Sequence, residues 1–92
     1  MPGNVQYRLH SGVIAQFLGD ELVIVHPETD RIFVLNRTAA CIWELLSQHV
    51  QLDQIEEKLL EEFDVKPVHL GKELRALISS LAEQKFISMV GR

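Results

Sequence analysis

The chain has 92 residues, of which 47% are hydrophobic and 24% charged, and its formal net charge is −4 at pH 7. This length suits one small domain with a modest core, so residues 1–92 are treated as a single domain. No apolar run approaches the roughly 20 residues that a membrane-spanning helix needs, and Met1–Ser11 lacks the charged-then-apolar pattern of a secretion signal. These features predict a cytoplasmic protein that does not bind membranes.

Charge is unevenly distributed along the chain. Up to Val65 there are four basic and eleven acidic residues, whereas from Lys66 onward there are five basic and two acidic ones. A mildly basic C-terminal third favours an acidic peptide as a partner. It is too thinly charged for the electrostatic footprint of a duplex-DNA-binding protein.

The first half of the chain predicts an antiparallel meander of three strands. Gly19-Asp20 is a two-residue hairpin signal, and Pro27–Asp30 is a turn because proline presets φ and aspartate suits the far end. Val5–His10 is an extended segment that leads into the meander. The predicted strands are Val13–Leu18, Leu22–Val25 and Ile32–Leu35.

Three helices are predicted to follow the strands. Asn36 is a good N-cap for the first helix, and Pro67 suits the first turn of the third, where its missing N–H costs nothing. The predicted helices are Arg37–His49, Leu52–Phe63 and a third from Pro67 to about Lys85, after which Phe86–Val90 forms a short apolar tail. Strands followed by helices predict an α+β fold with the helices on one face of a three-stranded sheet.

The residue patterns that carry catalysis or metal binding are weak in this sequence. No two of the four histidines (His10, His26, His49 and His69) have helical i, i+4 spacing, so we expect no metal site. Cys41 is the only cysteine and has no base nearby in the sequence, which favours a small buried side chain. The chain also lacks a glycine-rich phosphate loop and a nucleophile elbow. We therefore expect no cofactor and no enzymatic activity.

The third predicted strand is the best candidate for a functional site. Ile32–Leu35 contains neither proline nor charge, the features that hinder pairing of an edge strand with another chain. An extended peptide can therefore pair there. The alternative is that the N-terminal segment or a second copy of the chain covers this edge. Leu22–Val25 is apolar on both faces, so the face without helices also needs a cover: the N-terminal segment, a dimer partner or a partner enzyme.

Gly71 is unusual because it lies inside the third predicted helix, where glycine costs about 1 kcal/mol relative to alanine. Either it marks a frayed first turn near Pro67, or its missing Cβ lets another backbone approach the helix.

The order of these features resembles the PqqD family, the small peptide chaperones of ribosomally made, modified peptides. The resemblance covers about Val13–Ile87. It is carried by the junction Leu35-Asn36-Arg37-Thr38-Ala39 followed by Ile42-Trp43-Glu44-Leu45-Leu46, by the turns Gly19-Asp20 and Pro27–Arg31, and by the segments Ile55–Leu59, Glu62–Val65 and Leu74–Leu81. It implies a winged-helix-like domain of three strands and three helices that binds the leader of a precursor peptide and presents it to a modifying enzyme.

In this family the leader adds to the third strand and rests on the third helix. The matching positions here are Ile32, Phe33, Val34 and Leu35 on the strand and Leu70, Leu74, Arg75, Leu77 and Ile78 on the helix. We add Lys72, because its charge and that of Arg75 would assist an acidic leader. The implied partner enzyme is a radical-SAM enzyme or a leader peptidase and cyclase system, and a homodimer is also possible.

A winged-helix DNA-binding regulator is the alternative function. The same fold can present its third helix to a major groove. The exposed side of that helix is thinly basic, however, and Glu73 and Glu83 oppose its cations. The sequence therefore favours the peptide chaperone, with no nucleic acid as a partner.

Overall fold

The computed structural model describes residues 6–90. In chain order, the strands and helices are β1 (Gln6–Leu9), β2 (Ile14–Leu18), β3 (Glu21–Val25), β4 (Ile32–Leu35), α1 (Arg37–Ser47), α2 (Leu52–Glu62), α3 (Pro67–Glu83) and β5 (Ile87–Val90). The predicted α+β class, a three-stranded sheet followed by three helices, is confirmed.

Strands β2, β3 and β4 form an antiparallel sheet in that order. The β2–β3 hairpin turns at Gly19, whose φ of 64° is a conformation that glycine adopts without strain. The β3–β4 turn ends at Asp30, also in the left-handed region at φ 61°. Leu22, Ile24 and Leu35 project from one face of this sheet into the core, and α1 packs there.

A second, two-stranded sheet was not predicted. The lead-in segment is strand β1, and it pairs antiparallel with β5, the segment predicted to be an apolar tail, in the register Gln6↔Val90 to Leu9↔Ile87. The backbone N–H of His10 extends this pairing by donating to the carbonyl of Phe86 at 2.8 Å. Val5, which the predicted segment included, lies outside the described residues.

The helix starts follow the predicted capping residues. The side-chain oxygen of Asn36 accepts a hydrogen bond from the N–H of Ala39 at 2.9 Å, whereas Gln51 makes no such bond at the start of α2. Pro67 is the first residue of α3. The ends of α1 and α3 fall two residues earlier than predicted, because His49 and Lys85 adopt positive φ angles of 65° and 71°.

The core lies between the inner face of the three-stranded sheet and the three helices. Phe86, just beyond α3, is fully buried. The other buried apolar residues are Leu22, Ile24, Leu35, Ala40, Ile42, Trp43, Leu46, Ile55, Leu59, Leu70, Leu74, Ile78, Leu81 and Ile87. Among the described helices, none combines the length and apolar character needed to cross a membrane.

Candidate functional site

Strand β4 lies at the margin of its sheet and has one open edge. Within residues 6–90, β3 is the only strand that pairs with it. The N-terminal strand does not cover this edge, because Gln6–Leu9 pairs with β5 instead. The edge is therefore free for an added strand within the described part of the chain.

The backbone of β4 presents two residues to that edge. The N–H of His26 donates to the carbonyl of Arg31 at 2.9 Å, which makes these two residues a hydrogen-bonded pair of the antiparallel ladder. Hydrogen bonding alternates along such a ladder, so Phe33 and Leu35 direct their backbone groups towards β3. Ile32 and Val34 direct theirs away from β3, towards the open edge.

The side chains of β4 divide in the same alternating way. Ile32 and Val34 are 65% and 53% exposed and lie on the outer face of the sheet. Phe33 is half-buried and Leu35 is buried, both on the inner face. The four predicted strand residues thus comprise two edge residues with exposed side chains and two residues that face the core.

The predicted residues of α3 also fall into separate groups. Leu70, Leu74 and Ile78 are buried in the core, which leaves little of their surface for a guest peptide. Leu77 is half-buried and packs against the margin of the core. Lys72 and Arg75 are exposed.

Arg75 and Leu77 lie on opposite flanks of α3. At 3.6 residues per turn, positions two apart differ by about 200° around the helix axis. Arg75 lines a groove of about 910 Å³, termed here the α2–α3 groove. Its other lining residues are Tyr7, Leu52, Asp53, Glu56, Gly71, Leu74, Ile78, Ser79, Ala82, Glu83 and Met89. The flank of Arg75 thus faces α2 and the β1–β5 sheet, and Leu77 lies on the other flank.

Gly71 contributes to the floor of the α2–α3 groove. It is buried within α3, and a Cβ added to it would lie 3.4 Å from Oε2 of Glu56 and 3.6 Å from Nη1 of Arg75. Side chains, and not another backbone, therefore occupy the space above this glycine. Both distances are ordinary van der Waals contacts, so a Cβ at this position would touch these side chains without displacing them.

The outer face of the three-stranded sheet is apolar and open. Ile14 and Leu18 on β2 are 58% and 61% exposed, and Ile32 and Val34 continue the same face across β4. Val23 and Val25 of β3 lie between them and are half-buried. The expected cover for this face is not present among residues 6–90.

One cluster of polar side chains was not predicted from the spacing of residues along the sequence. One ligand atom each from His10, His26 and Glu28 lies within 4.8 Å of the others. His10 follows β1 whereas His26 and Glu28 belong to the β3–β4 turn, so only the tertiary fold brings them together. The one available signal in the sequence was a histidine, His26, directly after the apolar run Leu22–Val25, and the fold buries this histidine.

Cys41 has the surroundings of a structural thiol. Burial raises its pKa, and the carboxylates of Glu62 and Glu44 raise it further, while Arg37 acts in the opposite direction. A raised pKa keeps the thiol protonated and unreactive at neutral pH.

The fold and the open edge define the chain as an α+β domain in which the last strand of a three-stranded sheet has an exposed margin. The family model for coenzyme PQQ synthesis protein D (PqqD) matches residues 21–87, and the chain belongs to this family. The predicted resemblance is thereby confirmed.

Two solved structures share this fold. One is TbiB1 in complex with the TbiA(beta) leader peptide, at a TM-score of 0.81 and 22% identity, over 92% of this chain and 99% of that one. The other is lasso peptide synthetase B1 complexed with the leader peptide, at a TM-score of 0.79 and 22% identity, over 90% of this chain and 98% of that one. No curated protein matches the chain.

Proposed function

We propose that this protein is a non-catalytic peptide chaperone that binds the leader region of a precursor peptide by strand addition at β4 and presents it to a modifying enzyme. The observation that carries the proposal is the open edge of β4, whose Ile32 and Val34 backbone groups have no partner strand within residues 6–90. Family membership and the leader peptides bound to both structural relatives support it.

The open edge offers four main-chain groups, the N–H and C=O of Ile32 and of Val34. At about 0.5–1.5 kcal/mol each, four hydrogen bonds contribute roughly 2–6 kcal/mol. One or two buried guest side chains add about 1.5–3 kcal/mol each. Ordering a flexible peptide offsets part of this sum, so we expect micromolar or tighter binding.

The guest strand would present alternate side chains to two different surroundings. Those on the outer face would lie beside Ile32 and Val34, whose exposed side chains are apolar. Those on the inner face would approach Phe33 and the Leu77 flank of α3. The proposed peptide therefore carries apolar residues at alternating positions, and acidic residues near Lys72 and Arg75 would assist its approach.

The buried members of the predicted set have a supporting role in this proposal. Leu35, Leu70, Leu74 and Ile78 are buried in the core, where they would support the proposed contact surface from behind. A charged substitution at any of them would unfold the domain, so it would not report on the peptide site.

The outer face suggests where the partner enzyme or a second copy of the chain docks. It exposes the apolar side chains of Ile14, Leu18, Ile32 and Val34, and apolar surfaces of this kind are typical of interaction sites. DNA binding is not proposed, since α3 carries two basic residues, Lys72 and Arg75, and two acidic ones, Glu73 and Glu83.

The test removes one edge donor without disturbing the sheet. The N–H of Val34 faces the open edge and makes no bond to β3, so Val34→Pro is compatible with an edge strand. We expect this variant to weaken binding of the leader peptide by about tenfold or more, because a donor is lost and the guest strand meets the proline ring. Isothermal titration with a synthetic leader peptide of a candidate precursor measures the effect.

Ala15→Pro is the matched control. Ala15 pairs with Ile24 on the other edge strand, and Ile24 directs its backbone groups to Phe33, so the N–H of Ala15 also faces open solvent. This variant should bind the leader as the parent chain does. Equal affinity in Val34→Pro and the parent chain, with both variants folded by circular dichroism, would show that the peptide does not add to β4.

A further inference from the structure

His10, His26 and Glu28 converge at one end of the three-stranded sheet. Nε2 of His10 lies 3.6 Å from Oε1 of Glu28, and the two imidazole rings lie with centroids 4.4 Å apart. Because one potential ligand atom of each residue falls within 4.8 Å of the others, a single ion can contact all three after small side-chain adjustments.

Each of the two histidines has one buried ring nitrogen without a hydrogen-bond partner among the described residues. His26 is 1% exposed, and its Nε2 has no partner among the described residues. Nδ1 of His10 is likewise shielded from solvent and without a partner there. Buried polar atoms are satisfied in the large majority of cases, and an exception calls for an ion, a water molecule or a functional role.

We propose that His10, His26 and Glu28 bind a divalent transition-metal cation, with Zn²⁺ as the best match. Two imidazoles and one carboxylate are a borderline-soft donor set that suits Zn²⁺ and related metals better than Mg²⁺ or Ca²⁺, which prefer oxygen ligands. The carboxylate of Glu28 neutralises part of the added charge, and three protein ligands leave a fourth position for water.

Metal binding gives up one long hydrogen bond. The N–H of Glu28 donates to Nδ1 of His26 at 3.2 Å, so Nδ1 is the acceptor nitrogen and the ring proton lies on Nε2. A metal ion on Nδ1 takes the lone pair that accepts this bond, and a metal ion on Nε2 moves the ring proton to Nδ1. Either route breaks the same contact, and Glu28 lies in an exposed turn that is able to adjust.

The proposed ion would join two segments that are distant in sequence. His10 connects β1 to β2, whereas His26 and Glu28 form the turn that leads into β4. The ring of His26 also meets Phe86 edge-on, with centroids 5.6 Å apart. The ion would therefore fix the β3–β4 turn close to where the open edge begins, although its binding does not depend on the proposed peptide function.

The test is metal titration of the chain purified without a histidine tag and stripped with a chelator. Isothermal titration with Zn²⁺ should show one site, and Co²⁺ should give visible absorption bands of a nitrogen- and oxygen-ligated ion. Glu28→Gln and His10→Gln should each weaken Zn²⁺ binding by about tenfold or more, since each removes one of three protein ligands. His69→Gln, an exposed histidine on α3, is the matched control and should bind as the parent chain does.

Zn²⁺ should also raise the melting temperature of the parent chain, because a ligand that binds only the folded state stabilises it. Glu28→Gln should lose most of that increase. If His10→Gln fails to fold, Glu28→Gln alone tests the metal site. The side chain of Glu28 is 75% exposed, so its replacement leaves the core intact. Absence of Zn²⁺ binding to the parent chain, or unchanged binding in Glu28→Gln, would overturn the proposal.

Discussion

The ring of Phe33 on β4 meets the ring of Phe86 edge-on, with centroids 6.0 Å apart and ring planes at 85°. Phe86 is fully buried just beyond the end of α3, and its backbone accepts a hydrogen bond from His10. Phe86 thus contacts the strand with the open edge through its ring and pairs with the segment after β1 through its backbone. We expect these contacts to help fix β4 relative to the end of α3.

Truncation of Phe86 should therefore destabilise the whole domain. We expect Phe86→Ala to lower the free energy of unfolding by about 3–5 kcal/mol, the usual effect of deleting a buried aromatic side chain. Phe86→Leu should have a smaller effect because most of the apolar volume remains. Urea denaturation followed by circular dichroism measures both, and equal stability of Phe86→Ala and the parent chain would contradict the assigned role.

The two flanks of α3 should differ in their effect on the guest peptide. We expect Leu77→Ala to weaken leader binding by about tenfold, because an apolar contact of roughly 1.5 kcal/mol is lost. Ser79→Ala, on the flank of the α2–α3 groove, should leave the affinity unchanged. Titration calorimetry with the same leader peptide distinguishes the two, and the reverse order of effects would move the contact surface to that groove.

Lys72 and Arg75 should act on the peptide through long-range attraction. Both side chains are exposed, and Arg75 lies on the flank opposite Leu77. The Debye length is about 8 Å at physiological ionic strength and about 30 Å at 0.01 M. The double substitution Lys72→Glu and Arg75→Glu should therefore slow association with an acidic leader at low salt and have little effect at high salt. A salt-independent loss of affinity in stopped-flow and equilibrium measurements would instead indicate direct contact.

Cys41 should react slowly with iodoacetamide in the folded protein. Burial and the carboxylates of Glu62 and Glu44 raise its pKa, so little thiolate forms at pH 7.5. The rate should increase in urea, where the thiol has its ordinary pKa of about 8.5. The Cys41 thiol binds its proton more tightly in the folded state than in the unfolded state. Its contribution to the free energy of unfolding is therefore complete below the pKa of the unfolded thiol and is lost as the pH rises through the pKa of the folded thiol. Mass spectrometry of alkylated protein between pH 7 and 10 tests the prediction, and equal rates in buffer and urea at pH 7.5 would exclude it.

Asn36 should contribute to stability through its cap. Its side chain accepts the N–H of Ala39 at the start of α1, and loss of such a cap costs about 0.5–2 kcal/mol. Asn36→Ala should lower the free energy of unfolding by that amount, whereas Asn36→Asp, which keeps an acceptor oxygen, should remain close to the parent chain. If the two variants prove equally stable in urea, the cap has no energetic role.

Features that depend on neighbouring residues were predicted from the sequence. Asn36 and Pro67 define the starts of α1 and α3, and Gly19 and the turn ending at Asp30 define two hairpins. Each follows from the conformational preference of one residue or from a hydrogen bond over three residues. The edge position of β4 also followed, because a meander of three strands must leave its last strand on the outside.

Features that depend on distant residues were not predicted. The β1–β5 sheet pairs Gln6 with Val90. Neither of these short strands has a sequence pattern that indicates which strand it pairs with. The division of α3 into a buried face and two flanks requires knowledge of where α2 and β5 pack. The meeting of His10 with His26 requires both sheets to be in place, so spacing along the chain gave no indication of it.

The alternation along β4 has a consequence for recognition by a third molecule. Ile32 and Val34 direct their backbone groups to the open edge and their side chains to the outer face. A guest strand would place every second side chain in line with them and extend this apolar surface from three strands to four. A protein that binds the outer face would therefore contact a broader apolar surface on the peptide-bound domain than on the peptide-free domain. It would distinguish the two states without contacting the helices.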